Sequence, residues 1–286
     1  MKFSVYQNSR VGGRKYNQDR VAYAYTDEAL LLVLADGMGG HLHGELAAEI
    51  TVHAYMQAFR QAAHPRISDP AKFLAETMQD AHDGIVKYAQ EQQLGGNPGT
   101  TCVVALVQDD QVCWAHAGDS RFYLLRNGAT AAVTHDHSVV QQWADWGIIS
   151  ADEMKTHPDR NKITNCLGGV GELFYSEPGA CLPLQGGDVL LLCSDGLWSP
   201  LIDKEIAAGY SAASLLATTE HFMDLAIGRE GARADNTTAV VARWGEGEEA
   251  HATSTPVCNV LDMKELESES DLLGRTLAGM KPFRAV

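Results

Sequence analysis

Three short apolar segments of this chain each adjoin an aspartate, and this repeated pattern constrains the fold more than any other feature. The segments and their aspartates are residues 30–35 before Asp36-Gly37, residues 189–193 before Ser194-Asp195-Gly196, and residues 237–241 after Asp235-Asn236. Each segment has the length and bulk of a buried strand bounded by a turn. The pattern therefore predicts strands whose ends carry carboxylates into one shared cleft.

Three carboxylates in one cleft repel each other, and a bound cation relieves that repulsion. Hard divalent ions prefer oxygen ligands, so the pattern indicates a metal site. Asp-Gly is also a common turn dipeptide after a strand, and a turn is the better explanation for any one of these aspartates taken alone. Both interpretations stay open on this evidence.

Composition and charge limit the class of protein. With 286 residues, 45% of them hydrophobic, and strand signals along nearly the whole length, the chain predicts one large domain. A formal net charge of -15 argues against nucleic-acid and anionic-membrane surfaces, which require concentrated Lys and Arg. The polar first ten residues and the lack of an apolar run of roughly 20 residues predict a soluble, cytoplasmic protein.

The cysteines and the missing motifs indicate the redox compartment and limit the possible catalytic mechanisms. The six cysteines are Cys102, Cys113, Cys166, Cys181, Cys193 and Cys258. They form no Cys-x-x-Cys pair and most lie in apolar runs, which predicts free thiols in a reducing compartment. None precedes an arginine by six positions, and Gly-x-Ser-x-Gly, Walker and His-Glu-x-x-His motifs are missing, which argues against covalent catalysis by those routes.

The secondary-structure signals come in blocks. Residues 45–63 predict one helix, and Asp69-Pro70 is a start signal for a second helix that should pack antiparallel to the first. Three strand-like runs then predict an antiparallel meander: residues 101–107, 112–117 and 122–125. Residues 138–165 predict a short helix with an irregular segment. Blocks without strict alternation favour an α+β fold with layered sheets.

The composition changes at Gly245. Residues 246–286 are acidic and poor in bulky apolar groups, which predicts a flexible tail behind a catalytic domain of residues 1–245. The patch at residues 262–277 is compatible with a helix on a partner, and equally with a solvated tail without function.

Eight short motifs occur in unbroken order. They are Arg14-Lys15-Tyr16-Asn17-Gln18-Asp19, Asp36-Gly37-Met38-Gly39-Gly40-His41, Gly99-Thr100-Thr101, Gly118-Asp119-Ser120-Arg121, Thr134-His135-Asp136-His137-Ser138, Ile163-Thr164-Asn165, Ser194-Asp195-Gly196-Leu197-Trp198 and Asp235-Asn236-Thr237-Thr238. The series resembles the metal-dependent Ser/Thr protein phosphatase family, type 2C, in its compact bacterial form. The resemblance covers about residues 1 to 245. It implies an α+β four-layer α-β-β-α sandwich of two antiparallel sheets flanked by helices, with two Mn²⁺ or Mg²⁺ ions at one end.

The resemblance also implies the metal ligands. Asp36 would bridge both metals and the Gly37 carbonyl would bind one of them. Asp195 and Asp235 would complete the coordination, and Asp119 with Asp195 would offer a third metal position of the kind that some family members show.

The implied catalytic residues are Arg14, Asp19 and Asp36. Arg14 would hold the substrate phosphate, which suits a planar, permanently charged donor. Asp19 would accept a hydrogen bond from metal-bound water.

Two positions depart from the pattern of eukaryotic members. Gln18 stands where those members commonly have glutamate, and Met38 stands where they have a histidine after the bridging Asp-Gly. Because a methionine side chain cannot donate a proton, the general acid is unassigned. His41 is near in sequence, although a turn contact is the favoured interpretation of that histidine. The histidines of the two His-x-His spacings, among them His43, His135 and His137, look structural.

Two divalent ions can share one water, lower its pKa and align it for in-line attack on phosphorus. The resemblance therefore implies direct hydrolysis of phosphoserine and phosphothreonine by a monomer. The partners would be proteins phosphorylated by a Ser/Thr kinase, with no nucleic acid and no membrane. Two alternatives remain: a phosphatase dedicated to one regulator of a bacterial switch pathway, and a catalytically silent binding module of the same fold.

Overall fold

The structure of this protein is a computed structural model that describes residues 1–38, 43–169, 173, 181–211, 214–249 and 256–261. In chain order the strands are β1 (Lys2–Arg10), β2 (Asp19–Tyr25), β3 (Ala29–Asp36), β4 (Gly99–Thr100), β5 (Cys102–Gln108), β6 (Gln111–Ala117), β7 (Arg121–Arg126), β8 (Ala129–Val133), β9 (Leu167–Gly168), β10 (Leu182–Pro183), β11 (Val189–Cys193), β12 (Thr237–Glu249) and β13 (Val257–Val260). The helices are α1 (Gly44–Ala62), α2 (Pro70–Glu91), α3 (Val139–Asp145), α4 (Ala151–Thr156), α5 (Asp195–Trp198), α6 (Asp203–Gly209) and α7 (Leu215–Glu230), followed by a 3₁₀ turn at Gly231–Arg233.

The strands form two large antiparallel sheets. One has five strands in the order β1-β12-β11-β7-β8, and the other has six in the order β10-β6-β5-β3-β2-β13. Strands β4 and β9 form a separate antiparallel pair.

The core lies in three apolar layers, and β3, which is apolar from Ala29 to Ala35, borders two of them. Leu30, Leu32 and Leu34 pack between the two sheets, whereas Leu31 and Val33 face the layer beneath α1 and α2. A third layer joins the five-stranded sheet to α5, α6 and α7. Because both faces of β3 are buried, its run is continuous instead of alternating. The predicted four-layer α-β-β-α sandwich is confirmed.

The start of α2 follows the expected capping chemistry. Asp69 has an extended backbone and its Oδ1 accepts a hydrogen bond from the Lys72 amide at 3.0 Å, while Pro70 occupies the first helical position. A side-chain acceptor at this place satisfies a backbone N–H that the helix leaves unpaired. The predicted start signal is confirmed.

The predicted three-strand meander is wrong at its third strand. β5 and β6 form a hairpin through Asp109 and Asp110, both with positive φ, as two-residue hairpin turns require. Gly118, at φ +105°, then turns the chain out of this sheet, and β7 pairs with β11 and β8 in the other sheet. A Cβ at Gly118 would lie 2.7 Å from Cγ2 of Thr101, so only glycine fits this crossing.

Two stretches of the expected tail are strands. β12 continues to Glu249, which lies opposite Lys2, and β13 pairs with β2 at the edge of the six-stranded sheet. The sheets therefore continue beyond the expected boundary at residue 245. The acidic composition concealed the short β-prone segment Val257–Val260. The patch at residues 262–277 lies outside the described residues.

The cysteines differ from the expectation in one pair. Cys113 of β6 and Cys181 beside β10 form a disulfide bond. Cys102 and Cys193 are free and buried, as their apolar surroundings predicted, and burial raises the pKa of both thiols. Among the described residues, no helix is both long enough and apolar enough to cross a membrane.

Candidate metal and phosphate site

Asp19 and Asp36 lie at the open end of the β2–β3 pair. Asp19 is the first residue of β2 and pairs with Asp36, the last residue of β3. The backbone of Asp36 is fixed from both sides, since its N–H donates to Oγ1 of Thr101 at 3.1 Å and its carbonyl accepts from the Thr101 amide at 2.8 Å. Thr100 Oγ1 donates to the same carbonyl at 2.8 Å. The Gly99-Thr100-Thr101 motif therefore holds the end of β3 in place.

Asp195 and Asp235 come from neighbouring strands of the other sheet. Asp195 follows β11 through Ser194 and starts α5, and Asp235 lies two residues before β12. Ser194 joins the two sheets, because its Oγ donates to Oδ2 of Asp19 at 2.8 Å and accepts from the Thr238 amide at 3.1 Å. The open ends of both sheets therefore meet at one place.

Asp119 follows the crossing at Gly118 and is held by aromatic and ionic contacts. The indole N–H of Trp198 donates to the Asp119 carbonyl at 2.9 Å. The Arg121 guanidinium lies 3.4 Å from the centre of the Trp198 ring and pairs with both carboxylate oxygens of Asp136 at 2.8 and 2.7 Å. This packing places Asp119 on the wall of the same cleft.

The carboxylates raise each other's pKa. The pKa of Asp36 lies well above its usual range, first because of burial and then because of the charges of Asp19 and Asp195. Burial and the charges of Asp119 and Asp235 raise the pKa of Asp195 in the same way. Burial also raises the pKa of Asp119, to about 7, and the pKa of Asp19, and in both it is the largest cause. A site with this much unbalanced negative charge favours cations.

The donors suit a hard divalent ion. Asp19 Oδ1 is buried and lacks a hydrogen-bond donor among the described residues. The acids of the cleft present oxygen only, which matches Mg²⁺ or Mn²⁺. Within the described ranges, no three Asp, Glu, His or Cys side chains already surround a position for an ion.

The acids line a cleft of about 730 Å³. Arg14 lies at its rim with 54% of the side chain exposed, and its Nη2 is 2.5 Å from Oδ2 of Asp235. Residues 161 and 163–166, which follow α4, form another wall. The cleft thus places the permanent positive charge of Arg14 beside Asp235 and close to the other carboxylates, and Lys15 also belongs to its lining.

The structure brings the expected site residues together. Those that line the cleft are Arg14, Asp36, Gly37, Asp119, Asp195 and Asp235, and Asp19 lies fully buried beside them. Their roles remain proposals. His41 lies outside the described residues.

His43, His135 and His137, the other histidines of the two His-x-His spacings, do not line the cleft. His43 is the left-handed residue before α1, and His135 pairs with Asp145 at 2.8 Å. His137 accepts from the Gly118 amide at 3.3 Å. These contacts tie His135 and His137 to neighbouring parts of the fold.

Sequence reasoning assigned no role to Thr101, Ser194 or Asn236. All three sit in the quoted motifs, next to residues that received roles. The side chain of Asn236 contacts the backbone on both sides of Arg14. It accepts a hydrogen bond from the Gln18 amide and donates to the carbonyls of Val11 and Tyr16. Spacing alone could not show these contacts, because each of them joins residues far apart in the chain.

Known proteins share this fold and motif order. The family model described as protein phosphatase 2C matches residues 7–227. Serine/threonine phosphatase stp of Listeria innocua is 33% identical over 195 residues, which cover 68% of this chain and 77% of that protein. PstP of Mycobacterium tuberculosis is 33% identical over 234 residues, which cover 80% of this chain and 42% of that longer protein.

Solved structures give the same result. A serine/threonine phosphatase of S. agalactiae has a TM-score of 0.76 at 28% identity, covering 84% of this chain and 99% of that chain. The catalytic domain of PstP in complex with 2 manganese ions has a TM-score of 0.71 at 30% identity, covering 84% and 97%. Fold and site together define a metal-dependent protein phosphatase. The chain belongs to the protein phosphatase 2C family.

Proposed function

We propose that this cleft hydrolyses phosphoserine and phosphothreonine in proteins. The chain is a serine/threonine protein phosphatase, as its relatives are named. The observation that carries the proposal is the convergence of four aspartates and Arg14 on one cleft, with Asp19 buried beside them. A silent binding module would have no use for four carboxylates whose burial raises their pKa and opposes folding, and this alternative is not favoured.

Asp36, the Gly37 carbonyl, Asp195 and Asp235 would hold two divalent cations, Mn²⁺ or Mg²⁺, and Asp119 with Asp195 would offer a third position. When bound, the cations supply a water of lowered pKa and positive charge beside the phosphate oxygens. The four carboxylates keep that charge in place because they come from strand ends fixed by hydrogen bonds, as the Asp36 backbone shows.

Arg14 would bind the phosphate of the substrate. Its guanidinium is exposed enough to reach a ligand and lies 2.5 Å from a carboxylate oxygen of Asp235. Two parallel N–H donors match two phosphate oxygens, and a donor aimed at charge that develops in phosphoryl transfer lowers the barrier. Arg14 would therefore act both in binding and in the transition state.

Asp19 would orient the attacking water. Ser194 fixes one of its carboxylate oxygens, and the other, Oδ1, is left without a donor among the described residues. That oxygen would accept a hydrogen bond from the attacking water and so align the water for attack on phosphorus. No covalent intermediate on the protein is required.

The substrates would be proteins phosphorylated by a Ser/Thr kinase, and the enzyme would act as a cytoplasmic monomer away from nucleic acid and membranes. The net charge of -15 supports the exclusion of anionic surfaces.

The test is hydrolysis of p-nitrophenyl phosphate with Mn²⁺, with Mg²⁺ and with excess EDTA. We expect turnover with either cation and its loss in EDTA, with recovery when Mn²⁺ is added back. Full turnover in excess EDTA would contradict the proposed metal site.

A further inference from the structure

The segment that carries Arg14 depends on another part of the chain for its shape. Residues 11–18 connect β1 to β2 through turns and bends. Arg14 itself is half exposed, and the one side-chain ion pair of Arg14 in the described part of the structure is with Asp235. An exposed ion pair contributes little to fixing a loop. The guanidinium keeps a defined position only if the backbone of the segment is held by other contacts.

Asn236 supplies these contacts with a single side chain. Its Nδ2 donates to the carbonyls of Val11 and Tyr16, both at 2.9 Å, and its Oδ1 accepts from the Gln18 amide at 2.8 Å. The residue is only 5% exposed. Two donors and one acceptor on a short side chain are what asparagine offers, whereas aspartate lacks the donors. Both ends of the segment are therefore tied to one buried amide.

Close packing of the backbone at Gly12 and Gly13 against residues 234–235 also holds the Arg14 segment in place. Gly12 has a φ of +62°, and a Cβ on it would lie 2.2 Å from the Asp235 carbonyl oxygen. The Gly13 amide donates to the Ala234 carbonyl at 2.9 Å. The segment therefore lies directly on the residues that lead to Asp235.

The contacts of Asn236 also connect, through Gln18, to the backbone after Asp36. The amide of Gln18 is bound by Asn236, and the carbonyl of Gln18 accepts from the Gly37 amide at 3.2 Å. One residue thus connects the Arg14 segment, the expected ligand Asp235 and the turn after Asp36.

We infer that Asn236 is a positioning residue that acts through Arg14: its amide sets the distance between the phosphate-binding guanidinium and the metal-binding carboxylates. This inference rests on the proposed role of Arg14 in binding phosphate. A misplacement of about 1 Å at a reacting group can lower a rate up to a hundredfold, so a flexible segment should weaken phosphate binding measurably.

The test is a double-mutant cycle with Asn236→Ala and Arg14→Ala. We measure KM and kcat for p-nitrophenyl phosphate, the inhibition constant of inorganic phosphate, and the Mn²⁺ concentration for half-maximal activity. Asn236→Ala should raise the phosphate inhibition constant by about tenfold in the wild-type background and change it little in the Arg14→Ala background. The Mn²⁺ requirement should change less than the phosphate affinity.

Asn97→Ala is the matched control. The side-chain amide of Asn97 also holds a loop that lines the cleft, because its Nδ2 donates to the Gly169 carbonyl at 2.7 Å, but among the described residues it makes no hydrogen bond to residues 11–18. Its effect should be the same in both backgrounds. An Asn236→Ala effect that persists in full without Arg14, or a larger loss of Mn²⁺ than of phosphate affinity, would overturn the inference.

The proposed function can fail separately. If Arg14→Ala leaves the phosphate inhibition constant unchanged, the role of Arg14 is wrong and the inference falls with it. If Arg14→Ala weakens phosphate binding but the two substitutions are additive, only the inference fails. Should Asn236→Ala not fold, Asn236→Ser replaces it in the cycle. Failure of both to fold in saturating Mn²⁺ would make Asn236 a folding residue and overturn the positioning role.

Discussion

Asp19 and Asp36 lie directly opposite each other at the open end of an antiparallel strand pair. Two carboxylates at such a position repel, and both have a raised pKa in which burial is the largest cause. Strand pairing favours apolar or oppositely charged residues there. A pair that opposes folding is retained when it serves a site, and here it supplies the oxygen ligands and the water acceptor of the proposed reaction.

Asp36→Asn and Asp235→Asn should each lower kcat/KM by at least about a hundredfold, because a lost carboxylate weakens both metal retention and charge balance.

Arg14→Ala should weaken transition-state binding by about 3 kcal/mol, as the loss of an oxyanion donor does, while its Mn²⁺ affinity stays close to that of the wild type. Kinetics and Mn²⁺ calorimetry distinguish the two. Exposed Asp152→Asn is the control and should match the wild type. A loss of metal in Arg14→Ala equal to that in Asp36→Asn would show that the roles are misassigned.

Mn²⁺ should raise the melting temperature of the chelator-treated protein, and more at pH 8 than at pH 5.5. The raised pKa values of Asp36 and Asp195 mean that the folded, metal-free protein keeps protons that the unfolded chain loses above about pH 4. Its stability therefore falls as the pH rises, and bound cations remove that cost. At pH 8, with Mn²⁺ at about a hundred times its Kd, the shift should be on the order of 5 to 10 °C. Equal shifts at both pH values would refute this account.

His137 should stabilise the fold most at neutral pH. Burial, followed by the positive charges of His116 and His135, lowers the pKa of His137 to about 4. Because the unfolded value is near 6.5, the unfolded chain binds the extra proton first, and the stability from His137 is lost as the pH falls from about 6.5 to 4. The difference in denaturation midpoint between wild type and His137→Asn should shrink across this window in the metal-free protein. A difference that stays constant across this window would contradict the prediction.

The strands that the sequence predicts well are those buried on both faces. β3 and β11 are continuous apolar runs, and the predicted and observed bounds of β11 coincide. β8 was missed because its alanine-rich residues are largely exposed and leave no periodic signal. β13 was missed because composition was averaged over an acidic stretch.

The site was predictable only in its residues and not in its contacts. The motif order pointed to the carboxylates and Arg14, yet the ion pair of Arg14 with Asp235 joins positions that are 221 residues apart. The same holds for the disulfide bond of Cys113 with Cys181, which depends on β10 pairing with β6. Such contacts follow from topology, which local patterns do not specify.

Removal of residues 256–286 should lower the melting temperature by about 3 °C or more, because β13 covers the edge of β2 and the Leu261 amide donates to the Val21 carbonyl at 3.2 Å. A chain that ends after Leu261 keeps these contacts and should melt with the full-length protein. This pair of truncations tests whether the strand Val257–Val260, which lies within the expected flexible tail, stabilises the fold. Identical melting temperatures for both truncations and the full chain would mean that β13 contributes nothing to the fold.

The most direct test of the central claim is release of phosphate from a phosphothreonine peptide, measured for the full chain and for Asp36→Asn with Mn²⁺ and with excess EDTA. The proposed two-metal site predicts rapid release by the wild type in Mn²⁺, release near background in EDTA, and at least about a hundredfold slower release by Asp36→Asn in Mn²⁺. Release by the wild type that is unaffected by EDTA, or release by Asp36→Asn at the wild-type rate, would contradict it.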